Sequence, residues 1–93
     1  MIRANGDCLE VESPMTLATA TGLLEAGVAA LGTGEKVFDL SKVDAVDSSG
    51  LAVVFGWLRA AEARGSKIRV VNAPKNLMSL AEVYGVAELL PVA

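Results

Sequence analysis

Ninety-three residues with no histidine, one cysteine and a net charge of −3 rule out several functions before any motif is considered. Without histidine, neither a Ser-His-Asp nor a Cys-His arrangement can be built, and one cysteine cannot form a structural zinc site; no catalytic residues, metal or other cofactor are expected. The acidic balance offers no basic face to a phosphate backbone, which argues against nucleic acid as a partner.

Hydrophobic residues make up 53% of the chain and charged residues 20%, enough to bury a core and to exclude disorder. The length suits a single domain over residues 1–93, because two independent cores would need more chain. A domain this small is marginally stable, and a permanent partner would support it. No charged opening followed by a long apolar stretch marks a signal peptide. The longest apolar run, Leu51 to Leu58, falls far below the roughly 20 residues that span a bilayer. Cys8 cannot pair internally, which suits a reducing compartment, so the expected location is the cytoplasm. Cys8 itself, in a strand-like stretch, is expected to fill the core.

In chain order, residues 1–12 predict a hairpin. Ile2-Arg3-Ala4 and Cys8-Leu9-Glu10-Val11-Glu12 flank a turn at Asn5-Gly6-Asp7, where Asn-Gly supplies the positive φ angles of a tight turn. Ser13-Pro14 predicts a helix start, with serine as cap and proline in the first turn. Leu17, Leu24, Val28 and Leu31 follow on one face, and Gly32 and Gly34 end the helix. The stretch Gly32-Thr33-Gly34-Glu35-Lys36 lacks a Ser or Thr after the lysine. It also precedes a strand where a phosphate-binding loop precedes a helix, so it is a turn.

Val37-Phe38-Asp39-Leu40 predicts the next strand, followed by a loop from Ser41 to Asp47. A second helix opens at Ser48-Ser49-Gly50 and runs to about Arg64, before Gly65. Ile68 to Val71 predicts a further strand. Pro74 begins a third helix, with Leu77, Leu80, Ala81 and Tyr84 on one face and Gly85 at its end; Glu88 to Ala93 is a tail with room for one more helical turn. Strands alternating with helices imply right-handed crossovers and a mostly parallel sheet, to which the hairpin adds an antiparallel edge.

In open α/β sheets, function concentrates beyond the carboxyl ends of strands, at helix N-termini. That place is taken here by Val46-Asp47-Ser48-Ser49-Gly50-Leu51. Asp-Ser-Ser-Gly is ordinary capping chemistry, satisfying the free amides of a helix start. The sharper reading is that an exposed hydroxyl here contacts a partner or accepts a phosphate, whose roughly two negative charges would alter any docked surface. Along the second helix, Leu51, Val53, Val54, Phe55, Trp57, Leu58 and Ala61 cover about 200° of the circumference at about 100° per residue, more than one core-facing stripe requires. Either the sheet and a neighbouring helix cover both margins, or one margin, with Trp57 near its edge, is an exposed docking patch.

Val37 to Val83, and most specifically Asp39-Leu40-Ser41 through Asp47-Ser48-Ser49-Gly50-Leu51, resembles a STAS domain, the module of sulphate transporters and anti-sigma-factor antagonists. Gly65, the strand at Ile68 to Val71 and the segment from Leu77 to Tyr84 extend the match. The resemblance implies a STAS-like mixed, mostly parallel β-sheet with an N-terminal antiparallel hairpin and three to four helices. It also implies a non-catalytic, protein-binding role. Two branches fit. In the antagonists the second serine of the pair is phosphorylated, which falls on Ser49, and the partner is an anti-sigma kinase. In MlaB-like subunits of the Mla phospholipid ABC transporter, a hydroxyl at the first position, here Ser48, helps contact the cytoplasmic ATPase subunit. The short chain, Asn5-Gly6-Asp7 near its start and the stretch Leu77 to Val92 with Leu-Leu-Pro-Val favour the MlaB-like branch. The chain would then sit at the inner membrane's cytoplasmic face, held by its transporter. The implied partner-binding residues are Asp47, Ser48, Ser49, Leu51, Ala52 and Trp57, with Ser49 the candidate phosphorylation site.

Overall fold

A computed structural model describes residues 1–92. Strands β1 (Ile2–Asn5) and β2 (Cys8–Val11) lead to helix α1 (Ala20–Ala30), and strand β3 (Lys36–Asp39) leads to helix α2 (Ser48–Ala63). Strand β4 (Ile68–Val71), helix α3 (Lys75–Val83) and a 3-10 turn at Ala87–Leu89 follow. Among the described residues the sheet has four strands in the order β1-β2-β3-β4. β1 and β2 pair antiparallel, and the β2–β3 and β3–β4 pairs are parallel. This is the mixed, mostly parallel sheet with an N-terminal hairpin that the alternation of patterns implied. Gly6 takes the left-handed turn position at φ 64°, which only a residue without Cβ adopts freely.

Burial alternates along β2 and β4. Leu9, Phe38 and Val70 align in register and are 1%, 0% and 1% exposed, so this face carries the helices. Cys8, Glu10, Val37, Asp39 and Val71 alternate onto the opposite face and are half-buried, with Arg69 exposed. Cys8 is therefore not the core residue expected of it: one step along the strand from Leu9 puts it on the open face.

α1 starts later than the sequence suggests. Instead of opening at Ser13-Pro14, it begins at Ala20 after Thr19. The chain is held at Met15, which is fully buried and pairs in a parallel bridge with Val46, and it then turns through residues 16–19 into the helix. Leu17, expected on the buried face, is 78% exposed. α3 starts where expected, after Pro74, with Leu77 and Ala81 buried and Leu80 half-buried, but Tyr84 just past its end is exposed. The tail makes one 3-10 turn and then extends, with Val92 bridged to Val70 and the Val70 amide donating to the Pro91 carbonyl at 2.8 Å. The end of the expected tail, Ala93, lies outside the described residues.

The wide apolar stripe of α2 is covered on both margins. Trp57 is fully buried and stacks on Phe38 with ring centroids 4.1 Å apart and planes 11° from parallel. Its indole N–H donates to the Leu23 carbonyl of α1 at 3.1 Å, as a buried indole requires. α1 can come this close because of Gly27, where a Cβ would fall against the Trp57 ring, and because of Gly56, where a Cβ would meet Leu24 Cδ1 at 2.6 Å. An exposed helical glycine replaced by alanine gains about 0.5–1 kcal/mol. Gly27→Ala should instead destabilise the fold, by about 1–3 kcal/mol as in overpacked cores. The urea midpoint should fall with the slope unchanged, and a neutral or raised midpoint would contradict the close approach.

Candidate partner-binding site

The start of α2 is built around one carboxylate. Asp47 takes extended backbone angles, φ −121° and ψ −172°, as the residue capping α2. Its Oδ1 accepts from the Ser49 amide at 2.8 Å, which satisfies a helix-start donor. Its Oδ2 accepts from the Leu17 amide at 3.0 Å, so the same side chain ties the segment before α1 to α2. The backbone reinforces this junction: the Met15 amide donates to the Ala45 carbonyl at 2.9 Å and the Asp47 amide to the Met15 carbonyl at 3.2 Å. Gly50 is buried against the same segment, and a Cβ there would run into the Met15 carbonyl oxygen and stand 2.9 Å from Met15 Cβ. The Leu17 amide above all, with smaller help from the Ser49 and Gly50 amides, holds Asp47 below the ordinary carboxylate range, against the opposing effect of partial desolvation.

Of the residues the sequence singles out, the structure brings Asp47, Ser48, Ser49 and Ala52 to one surface. Ser48 and Ala52 are exposed, while Asp47 and Ser49 are half-buried. Leu51 and Trp57 do not belong there: Leu51 is 5% exposed and Trp57 0%. Both point into the core, and so does Val53, because α1 covers the margin of α2 that the stripe left open to interpretation. Trp57 is a core residue, not a docking residue.

Ser48 and Ser49 face different ways. Ser48 lines a cleft of about 420 Å³ with Val46, Asn76, Leu80, Val83 and Tyr84, between the start of α2 and α3. Ser49 and Ala52 line a second cleft of about 300 Å³ on the α1 side, with Thr21, Leu24 and Arg59. The surface also carries large apolar side chains that sequence reasoning placed inside or left out: Leu17 is 78% exposed, Val83 80% and Tyr84 58%. No pattern in the sequence joins positions 17 and 47. Among the described residues, no group of three or more His, Cys, Asp or Glu comes together to hold a metal, and no helix is long and apolar enough to cross a membrane.

A sheet of this order with a hydroxyl-bearing, aspartate-capped helix start beyond β3 defines the class. The chain belongs to the STAS domain family: the family model described as "Mlab, STAS domain" matches residues 1–91. Within it, the chain is similar to the intermembrane phospholipid transport system binding protein MlaB of Haemophilus influenzae, with 31% identity over 51 residues, 55% of this chain and 49% of that protein. The match thus spans about half the length of that curated relative. Among solved structures, a putative anti-sigma factor antagonist of Thermotoga maritima superposes with a TM-score of 0.76 at 12% identity, covering 99% of this chain and 83% of that one. The murine anion transporter Slc26a9 superposes with a TM-score of 0.76 at 21% identity, covering 91% of this chain and 15% of that one. At these identities the two structures share the fold.

The depressed Asp47 carboxyl makes a pH prediction. A group whose folded pKa lies below its unfolded value stabilises the fold above the unfolded value, about 3.9, and this is lost as pH falls through the folded one. Wild-type stability should therefore decline below about pH 4. Asp47→Ala should lower the denaturation midpoint at pH 7 and flatten that acid decline, leaving the part contributed by Asp39, which is also depressed. An unchanged acid slope in the variant would show that Asp47 does not hold the two amides.

Proposed function

We propose that this chain is a non-catalytic accessory subunit that docks, through the start of α2, on the cytoplasmic ATPase of an Mla-type phospholipid ABC transporter and stabilises or activates it. The observation that carries this reading is the exposed Ser48 at a rigidly capped helix start, flanked by two clefts and by the exposed apolar side chains of Leu17, Ala52, Val83 and Tyr84. Apolar side chains around a polar contact are the composition of a protein interface core. The similarity to MlaB supports the choice of partner. The chain would reach the inner membrane's cytoplasmic face through that partner. Asp47, with both oxygens engaged inside the chain, shapes the surface, and Ser48 and Ala52 make the contact.

A second reading, a phosphorylation-switched antagonist of an anti-sigma kinase, is supported by Ser49, whose position lines the open α1-side cleft. The two readings separate on substitution. For the transporter subunit, Ser49→Ala leaves ATPase binding nearly intact; for the antagonist, the cognate kinase labels Ser49 and Ser49→Ala abolishes the label.

The decisive test places charge in the surface. A charge desolvated without a partner costs on the order of 2–5 kcal/mol of binding. Ser48→Glu, Ala52→Arg and Leu17→Asp should each release the ATPase in co-purification while circular dichroism of the isolated variants stays native. Full retention of the ATPase by all three would place the interface elsewhere.

A further inference from the structure

The cleft beside Ser48 has walls from two helices that follow neighbouring strands. Val46 and Asp47 end the connection after β3 and Ser48 opens α2, while Asn76, Leu80 and Val83 belong to α3, with Tyr84 just past its end. The last backbone rung between these strands is the Leu40 amide donating to the Val71 carbonyl at 3.1 Å. Beside it, Asn72, the first residue after β4, donates from Nδ2 to Oδ1 of Asp39, the last residue of β3, at 3.0 Å. The same oxygen accepts from the Ser41 amide at 2.9 Å, turning the connection after β3 away from the sheet. Asn72 makes its bond from φ 56°, and it is the one non-glycine residue at positive φ among the described residues. Asparagine tolerates that conformation better than most side chains but still gives up stability to adopt it. A left-handed backbone at the point where the chain leaves β4, with the side-chain amide turned onto the end of β3, marks a site held for geometry.

We infer that Asp39 and Asn72 form a positioning clamp that fixes where the chain leaves β4 for α3 relative to the end of β3, and hence how α3 stands against the start of α2 across the Ser48 cleft. The consequence for binding rests on the docking role proposed above; the geometric part does not. Neither residue touches the partner. The clamp sets where Ser48 and Tyr84 stand relative to each other.

The test uses the full chain with Asn72→Gly, Asp39→Ala and the double variant. Glycine adopts φ 56° without strain, so Asn72→Gly removes the amide and spares the backbone. Amide hydrogen exchange by NMR is read at Val43, bonded to the Leu40 carbonyl in the connection after β3, and at Leu77, bonded to the Pro74 carbonyl at the start of α3. Val54 and Ala61 in the middle of α2 serve as controls. Each single change should speed exchange at both reporters by roughly fivefold, the size of one partly solvated bond to a charged group. The double variant should be no faster than Asp39→Ala alone, because that change already removes the bond to Asn72 together with the one to Ser41. Exchange that changes only at the reporter on the substituted side, or not at all, overturns the clamp. The second arm measures affinity for a purified Mla-type transporter ATPase, which should weaken by roughly the same factor in Asn72→Gly while the thermal midpoint holds. Unchanged affinity alongside faster exchange overturns the clamp's part in binding. An unsubstituted chain that fails to bind the ATPase overturns the proposed function, and the exchange data then still decide the clamp.

Discussion

Asp47 accepts backbone hydrogen bonds from two places far apart in sequence, the Ser49 amide two residues on and the Leu17 amide thirty residues back. A carboxylate that only capped a helix would leave its second oxygen to water. Here both oxygens are used, and the bridge between Met15 and Val46 runs alongside them. The start of α2 is thereby fixed against the segment that launches α1, and the exposed hydroxyl of Ser48 is presented from a rigid base. Gly50 belongs to the same arrangement, since its missing side chain is the space into which the Met15 backbone fits. Rigid presentation lowers the entropy lost when a surface is covered, which is what a docking site requires.

The second constraint is the packing of α1 beside α2 on one face of the sheet. Trp57 is the pivot, stacked on Phe38 of the sheet and hydrogen-bonded to the backbone of α1. A bulky indole between two helices would normally hold them apart. Gly27 removes the side chain that would stand in its way, so the ring reaches the helix backbone. The result covers the side of α2 that would otherwise have been an apolar surface.

That distribution bears on how so small a chain works. With 53% hydrophobic residues and few layers, not all apolar side chains can be buried, and a minority must face solvent. Among the described residues, three of the six large exposed ones, Leu17, Val83 and Tyr84, gather around a polar helix start. A patch of that kind lowers its free energy when a partner covers it, which is the physical ground for the docking role proposed above.

Strand and helix alternation, the Asn-Gly hairpin, the boundaries of α2 and α3 and the capping motif Asp47-Ser48-Ser49-Gly50 were all legible in the sequence, because each rests on interactions between residues a few positions apart. The first helix was misplaced because Ser13-Pro14 is a good local start signal, and it lost to a pairing with Val46 that burial of Met15 rewards. The place of Trp57 was undecided for a similar reason. Periodicity counts how much of a helix is apolar and says nothing about which neighbour covers it. Of the surface proposed for docking, the exposed positions Ser48 and Ala52 were legible, because one helix turn supplies both. It was not legible at Leu17, Val83 and Tyr84, which three separate elements bring beside that turn. Local chemistry specified the elements and the cap. Tertiary packing alone decided which apolar side chains stayed outside, since burial depends on contacts between segments that no short-range pattern records.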